Sequence, residues 1–136
     1  MQGPSYSGRA GGNISPARFV KKSDSSGEPV ITQCTAATDQ PWGISSQSTR
    51  RMALTGWDDG YAAVSGDDIN VYGAGDDRCK LELSGTVASG GNIVTHTDGT
   101  GKPASTDKDK VGAIALEPGV SGDLIWVRPV RFDLAV

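Results

Sequence analysis

The chain has 136 residues, one domain's worth, and a net charge of −3 with no basic block. A nucleic-acid binder needs a basic stripe to displace phosphate counterions, so DNA and RNA are not expected partners. No apolar run is long enough to span a membrane, and the opening MQGPSYSGRAGG lacks the apolar core of a secretory signal, so synthesis in a cytoplasm is expected.

Composition points to the fold class. The 19 glycines and 7 prolines punctuate the chain into turns. Val and Ile total 18 against 6 Leu, and β-branched side chains suit a pleated sheet better than a helix. An all-β chain with many turns is expected.

Residues 1–18 read as a flexible N-terminal arm: four glycines and two prolines leave only Met1, Tyr6 and Ile14 as large apolar groups. Such a segment cannot offset its ordering entropy alone. It is expected to order against a partner, with Tyr6, Arg9 and Arg18 as contacts. Residues 19–136 read as a single β domain.

Strands are predicted at PVITQ (29–33), WGISS (42–46), INVY (69–72), KLELSG (80–85), NIVTHT (92–97), VGAIALE (111–117) and DLIWVRPV (123–130). In KLELSG, Leu81 and Leu83 share one face while Lys80 and Glu82 take the wet one. In the last strand, Ile125 and Val127 oppose Leu124, Trp126 and Arg128. Pro129 cannot donate to a ladder and marks a bulge or an edge. The one helical window, STRRMALTGW (48–57), makes one or two turns.

The chain also repeats itself. VSGDDINVY (64–72) and VSGDLIWVR (120–128) share six positions at a spacing of 56 residues. SSGEPVITQ (25–33) lines up with ASGGNIVTH (88–96) at a spacing of 63, and Gly43 of WGISSQ with Gly112 of VGAIALE at 69. Loop insertions absorb the differences cheaply. A three-strand unit cannot hide both faces by itself, so two such units are expected to close over one shared interior. The Ser-Gly-Asp repeat is a turn device, with Gly supplying positive φ and Asp capping local N–H groups.

Little in the sequence suggests catalysis. His96, the sole histidine, sits in a strand pattern, and GISSQ is not a nucleophile elbow. DGTGKPAS (98–105) fails the phosphate-loop pattern and reads as a polar hairpin loop. The acidic pairs at 58–59, 67–68 and 76–77 fit no calcium loop, so no metal site is assigned. No cofactor is expected. Cys34 and Cys79 lack ligand spacing and read as free thiols, though their spacing does not decide whether they are bridged. Trp42 and Trp126 read as core or cross-strand residues. Trp57, between Gly56 and Asp58, reads as partner-facing, with Tyr61 beside it.

The second half, VASGGNIVTHTDGTGKPASTDKDKVGAIALEPGVSGDLIWVRP, resembles the small decoration, or cement, proteins of tailed-bacteriophage capsids. The features shared are a Gly-turn and strand, a DG-x-G polar loop, a VGxAL strand, a GD turn and a final strand. SSGEPVITQCTAATDQPWGIS resembles the opening of the same family. The resemblance implies a non-enzymatic protein that binds the outer surface of the major capsid protein shell and stabilises it, often as a homotrimer. The fold expected is a small β-barrel or β-tulip-like sandwich of two similar strand units with an extended N-terminal arm. The alternative is a carbohydrate-binding or receptor-binding surface module using Trp57 and Tyr61.

Overall fold

Alternating apolar and polar residues become strands almost wherever the sequence shows them. The computed structural model describes residues 6–25, 28–36, 39–46, 60–74, 76, 78–105 and 109–134. The described residues hold ten strands and no helix. They are β1 (Tyr6–Ala10), β2 (Phe19–Ser25), β3 (Glu28–Gln33), β4 (Gly43–Ser45), β5 (Asp68–Gly73), β6 (Cys79–Glu82), β7 (Asn92–Thr95), β8 (Gly101–Pro103), β9 (Lys110–Ala115) and β10 (Leu124–Asp133). The helical window at 48–57 lies outside the described residues.

Strands β1 to β5 close into a barrel in the order β1-β3-β2-β4-β5, and β6 to β10 form a second five-stranded sheet, β6-β10-β9-β7-β8. The wiring is the same in both. The first strand of each set pairs with its fifth, the fifth with the fourth, the fourth with the second, and the second with the third. Registers agree as well: Tyr6 faces Val71 as Cys79 faces Val127. Ile44 faces Tyr72 as Ile114 faces Arg128. The antiparallel bridge Ile14↔Ala63 has its counterpart in Val87↔Gly119. Asp67 and Asp123 each accept from the N–H three residues upstream, Val64 and Val120, at 3.2 and 3.0 Å. The repeated SGD phrase is therefore the same capped turn, built twice.

The structure corrects the alignment of the two copies at its start. NIVT of β7 corresponds to Phe19–Lys22 of β2, not to β3, because β2 and β7 are the strands that pair with the fourth member. The matching turns contain Ala17 and Gly90, both left-handed with φ of 55° and 84°. Alanine in place of glycine at that turn hides the match. Gly43 corresponds to Ala113, one residue beyond the expected Gly112, since they face Val20 and Ile93 respectively.

The expectation of one shared interior is also corrected. The first unit encloses Ala10, Ile14, Val20, Ile31, Ala63, Ile69 and Val71, with Tyr6 and Trp42 packed against them. The second packs Leu81, Leu83, Val87, Ile93, Ala113, Ala115, Ile125 and Val127, and this cluster runs on into Phe19, Cys34 and Ile44 of the first unit. Five strands enclose less space than the eight that just accommodate side chains, and among the described residues apolar side chains line both interiors.

The arm expected over 1–18 is not an arm from Tyr6 onward. β1 pairs parallel with β3 and antiparallel with β5, which closes the first barrel. The segment after β1 joins the units. The Glu82 N–H donates to Ala17 O at 3.0 Å, and the Phe19 N–H donates to Gly99 O at 2.7 Å. These bonds serve the facing edges of the second unit, where a single parallel bridge, Leu83↔Gly101, stands in for the longer β1–β3 pairing. Composition misled here because backbone pairing on both sides of β1 adds to the burial of Ala10, Ile14 and Ala17.

Phe19 is fully buried in the junction. A Cβ on Gly112 would stand 2.6 Å from its ring, so only glycine admits it. Replacing Phe19 with Ala is expected to cost about 3–5 kcal/mol by urea unfolding. Phe132→Ala, at a site 39% exposed, is expected to cost under about 1 kcal/mol. Equal losses would contradict the assignment of Phe19 as the junction's main apolar contact.

Candidate functional site

Among the described residues, apolar clusters occupy the interiors, and the clefts lie on the outer surface and at the junction. Of the sequence-predicted contacts, Tyr6, Arg9, Arg18 and Tyr61 are among the described residues. Tyr6 packs its ring 5.0 Å from Trp42, and its hydroxyl donates to Ala74 O at 2.9 Å. Arg9 is exposed on β1 and lines a shallow depression with Gly8, Pro29 and Asp68. Tyr61 is half-buried next to the Ile14↔Ala63 bridge. Trp57 lies outside the described residues.

Arg18 spans the junction. Its Nη2 meets Glu82 Oε2 at 3.0 Å and its Nη1 donates to Asp98 O at 3.0 Å. Gln33 Nε2 donates to the same carbonyl at 2.6 Å, while Gln33 Oε1 accepts from the Ser15 N–H at 2.8 Å. The Ser45 hydroxyl, fully buried, donates to Ser15 O at 2.8 Å and accepts from the Arg18 N–H at 3.1 Å. The 15–18 turn is thus held from both sides. Gly99, at φ 83°, lets the Phe19 backbone approach; a Cβ there would lie 3.2 Å from Phe19 O.

Asp98 and Asp39 fix the loops on either side. Burial tends to raise the Asp98 carboxyl, but the Thr100 hydroxyl and N–H, with Arg18, hold it below the usual range. For Asp39, burial acts in the same direction and is outweighed by the Thr35 and Ala36 N–H groups and Lys21. A carboxyl depressed in the folded state adds stability above its unfolded value, about 3.9, and loses it as pH falls through the folded value. The melting temperature is therefore expected to hold between pH 7 and 5 and to drop below about pH 4. Asp98→Asn should remove part of that drop. A flat profile down to pH 3 would contradict it.

Both cysteines are free and buried. Burial, with a smaller push from Asp39, raises Cys34 to about 12, and burial with Asp76 does the same for Cys79. The thiolate is the reactive form, so neither is placed to act as a nucleophile. A disulfide-exchange reagent at pH 8 is expected to label no thiol in the folded chain and both after denaturation. Fast labelling of the native chain would contradict the burial.

Two cation–aromatic groups stand on the outer faces. On the second unit, Lys80 lies directly across from Trp126 in the β6–β10 ladder, with its Nζ 4.5 Å from the ring centroid; Arg78 Cζ is 4.6 Å away. Arg128 continues the same face, and Leu124 and Leu116 flank it at 49% and 45% exposure. On the first unit, Lys22 Nζ lies 5.5 Å above Trp42. Lys22, Gln40 and Trp42 join Arg131 of the second unit around a cleft of about 250 Å³. The strand alternation already placed Lys80 outward and put Trp126 on the face opposite Ile125 and Val127; the cleft depends on two distant segments meeting, and nothing local in the sequence marks it.

No family model matches the chain, and no curated protein matches it. Among solved structures, the chain is similar to the head fiber gp8.5 N base of bacteriophage phi29, with a TM-score of 0.62 at 20% identity. The likeness covers 96% of this chain and 97% of that one, so both share the whole two-unit fold.

Proposed function

We propose that the chain is a non-enzymatic structural protein of a tailed-bacteriophage head, which binds the outer surface of the major capsid protein shell and stabilises it. The observation that carries this reading is the end-to-end likeness to a phage head fiber base. Interiors lined by buried apolar side chains in both units and thiols raised by burial are compatible with it. The family resemblance of the second half points the same way.

Binding works through the outer surface. Arg9 is displayed there, and the segment around Trp57 and Tyr61 supplies further contact. On a shell, many copies meet many identical sites, so individually modest contacts suffice, and assembly as a homotrimer adds avidity. The protein acts on the virion exterior, where a mildly acidic surface has no need to meet DNA. A carbohydrate-binding role gains no support from Trp42 and Trp126, since each ring already carries a cation.

The test is to mix the purified chain with phage heads lacking it and to measure occupancy by sedimentation and cryo-electron microscopy. Saturable binding at fixed positions on the shell, with heads surviving higher temperature or lower ionic strength, is expected. No association at micromolar chain concentration would overturn the reading.

A further inference from the structure

We propose that the outer face of β6, β10 and β9 around Trp126 docks an acidic, partly apolar segment of the shell protein, gripped by Arg78, Lys80 and Arg128. This deepens the reading of the chain as a capsid-bound protein and rests on it for the source of the partner.

Strand alternation gathers the three cations on one side of the ladder. Cys79, Leu81, Ile125 and Val127 are buried, which leaves Arg78, Lys80, Trp126 and Arg128 on the opposite face. Lys80 stands across from Trp126, and both its Nζ and Arg78 Cζ lie within 4.6 Å of that one ring centroid. The register ends at Cys79↔Val127, so the next residues outward on the two neighbouring strands are Arg78 and Arg128. Like charges on adjacent strands repel. Among the described residues no ion pair takes any of the three; the acids that are paired go to Arg18, Lys21 and Lys110. Glu82, two residues from Lys80 on the same face, is the one held by Arg18 at 3.0 Å.

The cations are also set in place before a partner arrives. A guanidinium held over an aromatic ring keeps its N–H donors available at its edge. The ring contact limits the rotamers that Arg78 and Lys80 would otherwise give up on binding. Across β10 the surface turns apolar. The Leu116 N–H donates to Trp126 O at 3.0 Å, Leu124 precedes Trp126 by two residues on the same face, and Ile114 faces Arg128. Leu116 and Leu124 are 45% and 49% exposed. Trp and Arg beside exposed apolar groups are the composition of a protein-binding patch.

This chemistry selects the occupant. A single-stranded nucleic acid needs open ring faces for its bases and a longer basic track, whereas here two cations occupy Trp126 and leucines flank it. A second copy of this chain has few acids to give. Asp39, Asp67, Asp76, Asp98, Asp109 and Asp123 each accept from backbone N–H groups of their own loops. An acidic stretch of the shell protein meets both halves of the patch, with carboxylates on the cations and apolar side chains on Leu116 and Leu124.

The test has two arms. In the first, the full chain is titrated with a short peptide alternating glutamate and leucine while the Trp126 indole N–H is followed by NMR, assigned by Trp126→Phe. A saturable shift is expected at Trp126, with none from the glutamine–leucine counterpart. A folded Arg78→Gln/Lys80→Gln/Arg128→Gln variant should bind about tenfold more weakly. Arg128→Gln alone, which leaves both ring contacts in place, should also weaken binding. No shift with the acidic peptide, equal binding by the triple variant, or an equal shift with oligothymidylate would overturn the assignment. In the second arm, the triple variant is added to phage heads lacking the protein, and about tenfold weaker occupancy is expected. If the wild-type chain binds heads and the variant binds equally well, the inference fails while the proposed function stands. A wild-type chain that self-associates where the triple variant does not makes a second copy the occupant and overturns the inference as well. If the wild-type chain does not bind heads at all, the proposed function fails, and the first arm alone judges the patch.

Discussion

The fold depends on where the polar edges of the second unit find partners. A five-stranded sheet that curls without closing leaves unpaired N–H and C=O groups on its two outer strands, and such edges invite aggregation. In the first unit, β1 and β3 solve the problem by pairing with each other. In the second, the facing edges of β6 and β8 are served by the Ala17–Phe19 segment, which gives an acceptor to Glu82 and a donor to Gly99. One short connector thus ends the first unit's opening turn, protects the second unit's seam and delivers Phe19 to the packed junction.

The connector sits after β1 in the first copy and bonds to both units: the Ala17 N–H donates to Ser46 O and Phe19 O accepts from the Cys34 N–H in the first, while Ala17 O and the Phe19 N–H serve the second. Around it the polar bonds of Arg18, Gln33 and Ser45 fix direction, since Arg18 and Glu82 are partly solvated and such a pair adds little stability by itself. Apolar burial at Phe19, Cys34 and Ile44 supplies the driving force, and the hydrogen bonds supply register. The same meeting of units forms the cleft lined by Lys22, Gln40, Trp42 and Arg131.

Much of this was legible in the residues. Period-two alternation located β6 with its inward face and separated the two faces of β10, Pro129 signalled a bulge or an edge next to the irregularity that follows it, and the VSGD phrase marked the true duplication. Three features were not legible. β1 has the sequence YSGRA, whose ordering comes from ladders on both sides together with the packing of Tyr6 and Ala10, and the ladders leave no mark in composition. The copy of the Ser-Gly turn at Ser15–Arg18 carries alanine at the left-handed position, which removes the glycine signal. The cleft joins residues 22, 40, 42 and 131, and only the packing of one unit on the other brings them together.

The Ala17–Phe19 segment is the structural glue between two similar units, and amide hydrogen exchange tests that claim most directly. The Phe19 and Glu82 amides are predicted to exchange as slowly as those of the barrel cores, opening only with global unfolding. Exchange of those two amides at near-peptide rates, while both cores stay protected, would contradict it.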